Sequence, residues 1–527
     1  MKQLSPADSQ MLFIESPAAP NHVAPLSIYD PSTAPGGKVT FKGILANLES
    51  RLHLAPAFRR KLLRVPLDID EPYWVDDPDF DLEYHVRHLA LPKPGDWRQL
   101  CILVARLISR PLDHSRPMWE MNVIEGLDNI EGLPPGCFAI LFKIHHAMID
   151  GKAGVELINA LHDLEPTPPA PKRIVDSEPW QPEPIPSQWQ LATVGLKRLA
   201  WKPGQMLRLA ARTMPGLITN SKKIKVPFRV PKTPLNGQLT GARVYDARFF
   251  DLGDFKTMRQ LMPGSTINDL ALSIVSGALR HYLQARKSLP KEALIASVPI
   301  SIRSADSTSQ NEGNELIIQN IPIYSNIADP EKRLTAICEA MRDTKEYVNA
   351  VGAKKLSEVS TAIPGRVGGL MANAMNLVAE MSGETMMCNT VITNVPGVQV
   401  PLYMTGAKAV IMCGGGPLNG TIGVIHLVGS YCGRMHINIT ACRDLLPDPG
   451  FYMECLDKSF AEHMAAAQAR ASEPSPPAAK KSPAAKAKAA SPRAKPKATP
   501  RAAPAAKAKA KGAPTARSKT RGPAAQR

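Results

Sequence analysis

The stretch that most constrains the fold runs from Cys137 to Asp163. Phe138, Ile140, Phe142 and Ile144 recur at period two, the pattern of a half-buried strand. The strand ends in His145-His146-Ala147-Met148-Ile149-Asp150-Gly151, and beyond it Val155, Ile158 and Leu161 fall close to helical spacing. A buried strand that hands over to a helix through paired histidines predicts a layered α/β unit with polar chemistry at the junction.

Histidine is the side chain whose charge changes near neutral pH, and beside a bound hydroxyl it can take up a proton. Alternation along a strand sends His145 and His146 to opposite faces. Only one can then serve as base, and the spacing to Asp150 favours His146, with His145 in support. Asp150 suits a helix cap or an arginine partner, for which Arg59 and Arg60 are candidates, and Gly151 lets the backbone turn tightly. The competing reading is a strand end with two satisfied histidines and a capping aspartate; the full seven-residue pattern at such a junction favours chemistry. No metal is expected, because the two rings diverge and no third ligand stands at suitable spacing. His85 and His88 read as surface or packing residues. Neither G-x-S-x-G nor a P-loop occurs, which removes the serine-hydrolase and P-loop templates.

The 527 residues divide into four regions. Residues 1–164 form a first α/β domain carrying the histidines. Residues 165–241 form a linker and basic segment, opening with eight prolines between Pro166 and Pro186, too many for regular structure. Residues 242–470 form a second domain. Strands are expected at Val244–Asp251, Leu294–Ile302, Leu316–Tyr324, Cys388–Thr393 and Ala407–Met412, with two more between Thr421 and Thr440; helices are expected at Asn268–Arg286, Pro330–Asn349 and Pro449–Ala467. Residues 471–527 hold 15 Lys/Arg against Glu473 alone and contain no Leu, Ile, Val or aromatic residue; such a tail buries no core and is expected to be disordered. No apolar run approaches a spanning helix, the N-terminus lacks the apolar core of a signal peptide, and the eight scattered cysteines fit reduced thiols in a cytosol.

Further motifs flank the histidine run. They are Leu4-Ser-Pro-Ala-Asp-Ser, Phe80-Asp81-Leu82, His85-Val86-Arg87, Pro111-Leu112-Asp113, Arg116-Pro117-Met118-Trp119-Glu120, Thr266-Ile267-Asn268-Asp269, Thr393-Asn394-Val395-Pro396-Gly397 and Cys442-Arg443-Asp444. In this order, over about residues 4–465, the chain resembles the bacterial wax ester synthase/diacylglycerol acyltransferases. The H-H-x-x-x-D-G run by itself is shared by the wider CoA-dependent acyltransferase superfamily and by peptide-synthetase condensation domains; the flanks are more specific. Met118 stands where the family usually has leucine, a volume-conserving exchange. The resemblance implies two chloramphenicol-acetyltransferase-like domains, mixed sheets flanked by helices, with a tunnel between them. It implies acyl transfer from acyl-CoA, a co-substrate rather than a cofactor, to diacylglycerol or a long-chain alcohol. No cofactor is expected. By position His146 is the general base and Asp150 an organiser. Asn268 steadies an oxyanion or the histidine, or is a plain helix N-cap. Pro117, Met118, Trp119, Asn394, Pro396 and Gly397 shape the tunnel or the domain junction. The alternatives are a condensation-type acyltransferase with another donor or acceptor, and a non-catalytic granule-coating or DNA-tethering protein.

Both acceptors are lipids, so the protein is expected at the inner face of a membrane or at lipid inclusions. Ser187–Tyr245 carries 11 Lys/Arg and no acid, with Trp189 and Trp201 on a basic amphipathic segment. It reads either as an interfacial helix or as an interdomain helix packing its apolar face on the protein. The tail resembles linker-histone tails, which suits anionic lipid or nucleic acid; a merely solubilising tail is the alternative.

Overall fold

The computed structural model describes residues 1–149, 160–167, 180–198, 230–302, 315–351, 363–382 and 387–472. Asp150, Gly151, most of the helix expected after them, the basic residues 199–229 and the tail from residue 473 lie outside these. Residues Met1–Glu473 form one compact unit built on two six-stranded sheets.

The first sheet has the order β12 (Tyr403–Met404), β13 (Ala407–Gly415), β2 (His22–Asp30), β7 (Phe138–His145), β6 (Trp119–Glu125), β5 (Val86–Ala90). All pairs are antiparallel except β5–β6. The second has the order β10 (Glu315–Pro322), β9 (Ile295–Ile302), β11 (Thr390–Val395), β14 (Val424–Tyr431), β15 (Arg434–Cys442), β8 (Arg243–Asp251), with parallel pairs on both sides of β11. A small sheet joins β1 (Lys2–Gln3), β4 (Tyr73–Asp76) and β3 (Arg60–Leu63). The expected strands of the second half are present within one or two residues at most ends, and Ala407–Met412 belongs to a strand of the first sheet. There β13 pairs with β2, from Lys408 opposite Asp30 to Gly415 opposite Ala24.

The expectation that the motif strand is half-buried is corrected: all eight residues of β7 are buried. Its period-two pattern is real, but β7 lies inside a sheet covered on both faces. Phe138, Ile140, Phe142 and Ile144 join Trp119, Met121 and Val123 in one cluster. Ala139 and Leu141 face the other way, onto Leu26, Ile28 and a helix. The helices that concern the site are α1 (Pro6–Phe13), α2 (Trp97–Ile108), α3 (Ile267–Ala285), α4 (Pro330–Val351), α5 (Gly365–Ser382) and α6 (Pro449–Ser472). α2 starts in a capping box made by Asp96 and Gln99 and buries Leu100, Val104 and Ile108 against β7 and β2. From its first turn Trp97 Nε1 donates to Asp246 of β8 at 2.9 Å, which ties the two sheets together. The second sheet is covered by α3, α4 and α6.

Of the basic segment only its first part is described. Residues 188–198 are helical. Leu191 is buried with Val65, Tyr73 and Val75, and Arg198 reaches Gln3, Asp70 and Tyr73, so one face packs on the protein. Trp189, on the same helix, is 83% exposed.

Candidate active site

β7 stops at His145 because that side chain caps the next turn. Its Nδ1 accepts the Ala147 N–H at 3.1 Å, which bends the chain into the short 3₁₀ helix His146–Met148. His145 itself is fully buried, and its N–H donates to the Met118 carbonyl at 3.0 Å. His146 is half-buried, and its N–H donates to the Asn21 carbonyl at 2.9 Å. Ala147 and Met148 sink into the first-sheet core. The backbone of the second histidine is thereby fixed on both sides.

The surroundings favour a neutral imidazole. Burial lowers the pKa of His146 and His145 adds to this, while a hydrogen bond to its own backbone and the Asp8 carboxylate of α1 oppose it. Burial also lowers His145, partly offset by Glu15. Glu15 stands against His145 on the opposite side of the motif. Its Oε2 is 2.9 Å from His114 Nε2 and 3.4 Å from His145 Nε2, the latter too long for a well-formed hydrogen bond. Its Oε1 accepts the Asn21 N–H at 3.0 Å. Burial would raise the Glu15 carboxyl, but the His114 and His145 rings outweigh it and hold the group well below the usual carboxylate range. The three ligand-type atoms of Glu15, His114 and His145 lie within 4.8 Å of one another, a grouping that contiguous spacing did not suggest.

The other candidates fall into separate groups. Met118 and Trp119 are buried, as is Pro117. Trp119 Nε1 donates to the Phe58 carbonyl at 2.9 Å, and its ring stacks on His85 at 4.5 Å. This stretch supports the histidines from within the first-sheet core, and His85 is a packing residue; His88 lies 3.0 Å from Glu125. Asn268 is not the helix cap: Thr266 caps α3, closing a capping box with Asp269. That leaves the Asn268 amide for other work, and its Oδ1 accepts Asn394 Nδ2 at 3.3 Å, so two distant motifs meet. Pro396 and Gly397 are exposed. A Cβ on Gly397 would stand 2.0 Å from the Ser430 carbonyl oxygen of β14, which explains the glycine. No hydrogen bond between described residues joins His146 to Asn268. Asp150 and Gly151 lie outside the described residues; Arg60 meets Asp76 at 3.4 Å and Arg59 lies over Trp180.

Glu15, Asn21 and His114 are the residues that sequence reasoning missed. Glu15 and Asn21 are single polar positions far upstream of the histidines, with no spacing to mark them. His114 directly follows the Pro111-Leu112-Asp113 motif, and that adjacency was the available signal.

Comparison with known proteins places the chain in a family. Residues 4–271 match the profile described as "Wax ester synthase/diacylglycerol acyltransferase catalytic domain" and residues 312–463 that of the "WS/DGAT C-terminal domain". A provisionally named diacylglycerol O-acyltransferase of Mycobacterium tuberculosis is 33% identical over 458 residues, covering 85% of this chain and 87% of the relative. The O-acyltransferase WSD of Acinetobacter baylyi is 32% identical over 461 residues, covering 85% and 93%. Among solved structures, the wax ester synthase/diacylglycerol acyltransferase of Marinobacter aquaeolei VT8 superposes with a TM-score of 0.62 at 24% identity, covering 89% of this chain and all of that one. A trichothecene 15-O-acetyltransferase of Fusarium sporotrichioides shares the fold at a TM-score of 0.52 and 11% identity, covering 88% and 94%. The chain, a mixed α/β protein with two sheet-containing halves, is an acyltransferase and belongs to the wax ester synthase/diacylglycerol acyltransferase family.

Proposed function

We propose that this enzyme transfers a long-chain acyl group from acyl-CoA to the hydroxyl of diacylglycerol or a long-chain alcohol, forming triacylglycerol or a wax ester. The observation that carries the reading is the state of His146 in a member of this family: half-buried, its pKa lowered by burial, and fixed through its backbone at the end of β7. In this reading the imidazole takes the acceptor's hydroxyl proton as that oxygen attacks the thioester carbonyl. The C–O bond forms, the C–S bond breaks, and the proton passes from the imidazolium to the departing thiolate. Charge on the carbonyl oxygen needs donors. The Asn268 amide nitrogen is a candidate, because its carbonyl end is already engaged by Asn394. Asp150 organises the turn, and no resident cofactor is required.

The acceptor is delivered from a lipid surface, and α5 is the face we assign to it. Gly365, Gly368 and Gly369 bring α5 against Ser9, Gln10 and Phe13 of α1, and α1 packs on the 146–148 turn. The other side of α5 exposes Leu370 at 59%, Leu377 at 57% and Met381 at 81%, an apolar face of the kind that lies in a membrane interface. Among the described residues no helix is long and apolar enough to cross a membrane. Two experiments test the reading. Radiolabelled palmitoyl-CoA with hexadecanol or diacylglycerol yields labelled ester; no ester from either acceptor contradicts the reaction. Vesicle flotation of the tail-deleted protein weakens on Leu370→Asp with Leu377→Asp; unchanged flotation removes α5 as the lipid face.

A further inference from the structure

The carboxylate of Glu15 is the one charged group whose contacts converge on both flanks of His146 among the described residues. On one side its Oε1 accepts the Asn21 N–H, and the Asn21 carbonyl accepts the His146 N–H. The Asn21 side chain is itself tied to the Met11 carbonyl at 2.8 Å, so the pair forms a rigid link between α1 and the turn. On the other side Oε2 faces His145 Nε2, and His145 Nδ1 holds the Ala147 N–H.

The tautomer of His145 separates two uses of the Glu15–His114–His145 group. A neutral imidazole carries one ring proton. Because Nδ1 is the acceptor for the Ala147 N–H, the proton must sit on Nε2, the atom turned to the carboxylate. A metal bound by the three residues would need the Nε2 lone pair. The ring would then require both nitrogens unprotonated, or the Ala147 N–H would lose its partner. A protonated Nε2 that faces the carboxylate at 3.4 Å avoids that conflict, its charge attraction to the anion standing in for a well-formed hydrogen bond, and His114 Nε2 lies 2.9 Å from the same oxygen.

We propose that Glu15 is a positioning residue of this site: it fixes the Nε2–H tautomer of His145 and the carbonyl of Asn21, and through both it sets where His146 stands. The inference rests on the reading of His146 as the base. Misplacing a reacting group by about 1 Å lowers rates by about 10²-fold, so Glu15→Gln is expected to lower kcat by about 10–100-fold. KM for palmitoyl-CoA should change much less than kcat, because the proposed loss is of positioning at the reacting group rather than of uniform binding.

The test is a cycle of Glu15→Gln, His146→Ala and the double variant, with ring-nitrogen NMR of the histidines and metal analysis of the purified wild-type protein. Expected are a kcat-only loss in Glu15→Gln, no further loss when it is added to His146→Ala, and a His145 protonated on Nε2 in the wild type but a tautomer mixture in Glu15→Gln. Wild-type kcat in folded Glu15→Gln, with His146→Ala inactive, overturns the role of Glu15 and leaves the base assignment standing. An active His146→Ala removes the base assignment instead, and with it the proposal's premise. One equivalent of bound metal that is lost in both Glu15→Gln and His114→Ala overturns the positioning role in favour of a metal centre.

Discussion

Replacing each of the two adjacent histidines by alanine should produce opposite phenotypes. His145 is fully buried and caps the 3₁₀ turn. Its loss removes a side-chain cap worth about 0.5–2 kcal/mol and takes a partner from the largely buried Glu15 carboxylate, a further loss of about 1–3 kcal/mol. The expected destabilisation is about 2–4 kcal/mol, enough to shift a urea midpoint well outside error. His146 is half-buried, and the side-chain cap of the turn is supplied by His145, so His146→Ala should stay within about 1 kcal/mol of wild type. Turnover should behave the other way. Loss of a general base lowers it by about 10²–10⁴-fold, or roughly 2.7–5.4 kcal/mol of barrier, whereas His145→Ala loses only positioning and should fall less. Urea unfolding followed by tryptophan fluorescence, alongside kcat for the same preparations, reads both quantities. If His146→Ala unfolds as easily as His145→Ala, or keeps near-normal turnover, this division of roles is wrong.

Three further outcomes are expected. Burial pushes His22 and His426 down to about 3, and His436 and His463 down to about 4, from 6.5. Between those values and 6.5 the unfolded chain binds more protons than the native one. Stability therefore rises with pH in that window and is lost as pH falls below about 6.5, by at most about 1.4 kcal/mol per pH unit for each histidine; equal unfolding midpoints at pH 7 and pH 5 would contradict this. Gly397→Ala forces the chain away from the Ser430 carbonyl, should destabilise by about 1–3 kcal/mol and should disturb the Asn394–Asn268 pair; a variant with wild-type melting temperature and activity refutes the close approach. Deleting residues 473–527 should leave turnover on a soluble short-chain alcohol intact while weakening salt-sensitive binding to anionic vesicles; lost turnover would place the tail in the catalytic machinery.

Much of this architecture could be read from local pattern. The period-two runs located β7, β8, β9 and β15 because side-chain alternation leaves a local trace. What failed was whatever depends on partners distant in the chain. The burial of both faces of β7 comes from α2 on one side and the Trp119 cluster on the other, which no single run encodes. β13 looked like a strand of the second half because its pairing with β2 is non-local. α5 escaped notice because glycines depress helix propensity; Gly365, Gly368 and Gly369 are there to admit α1. Within the site, the histidines announced themselves by residue type, and Asn268 by its motif. The plainer expectation for Asn268, a helix cap, was wrong, since Thr266 two residues earlier does that work. Glu15 meets the Asn21 N–H and faces His145 across the fold, and nothing in its own neighbourhood points to either.

The most direct measurement is the initial rate of thiol release from palmitoyl-CoA by folded wild-type and His146→Ala protein, with hexadecanol, with diacylglycerol and with neither. Wild-type release that depends on an acceptor, and a fall of about 10²–10⁴-fold in the variant, is the predicted result. Release by the wild type that is indifferent to both acceptors, or an undiminished rate in the variant, would contradict acyl transfer to a lipid hydroxyl with His146 as its base.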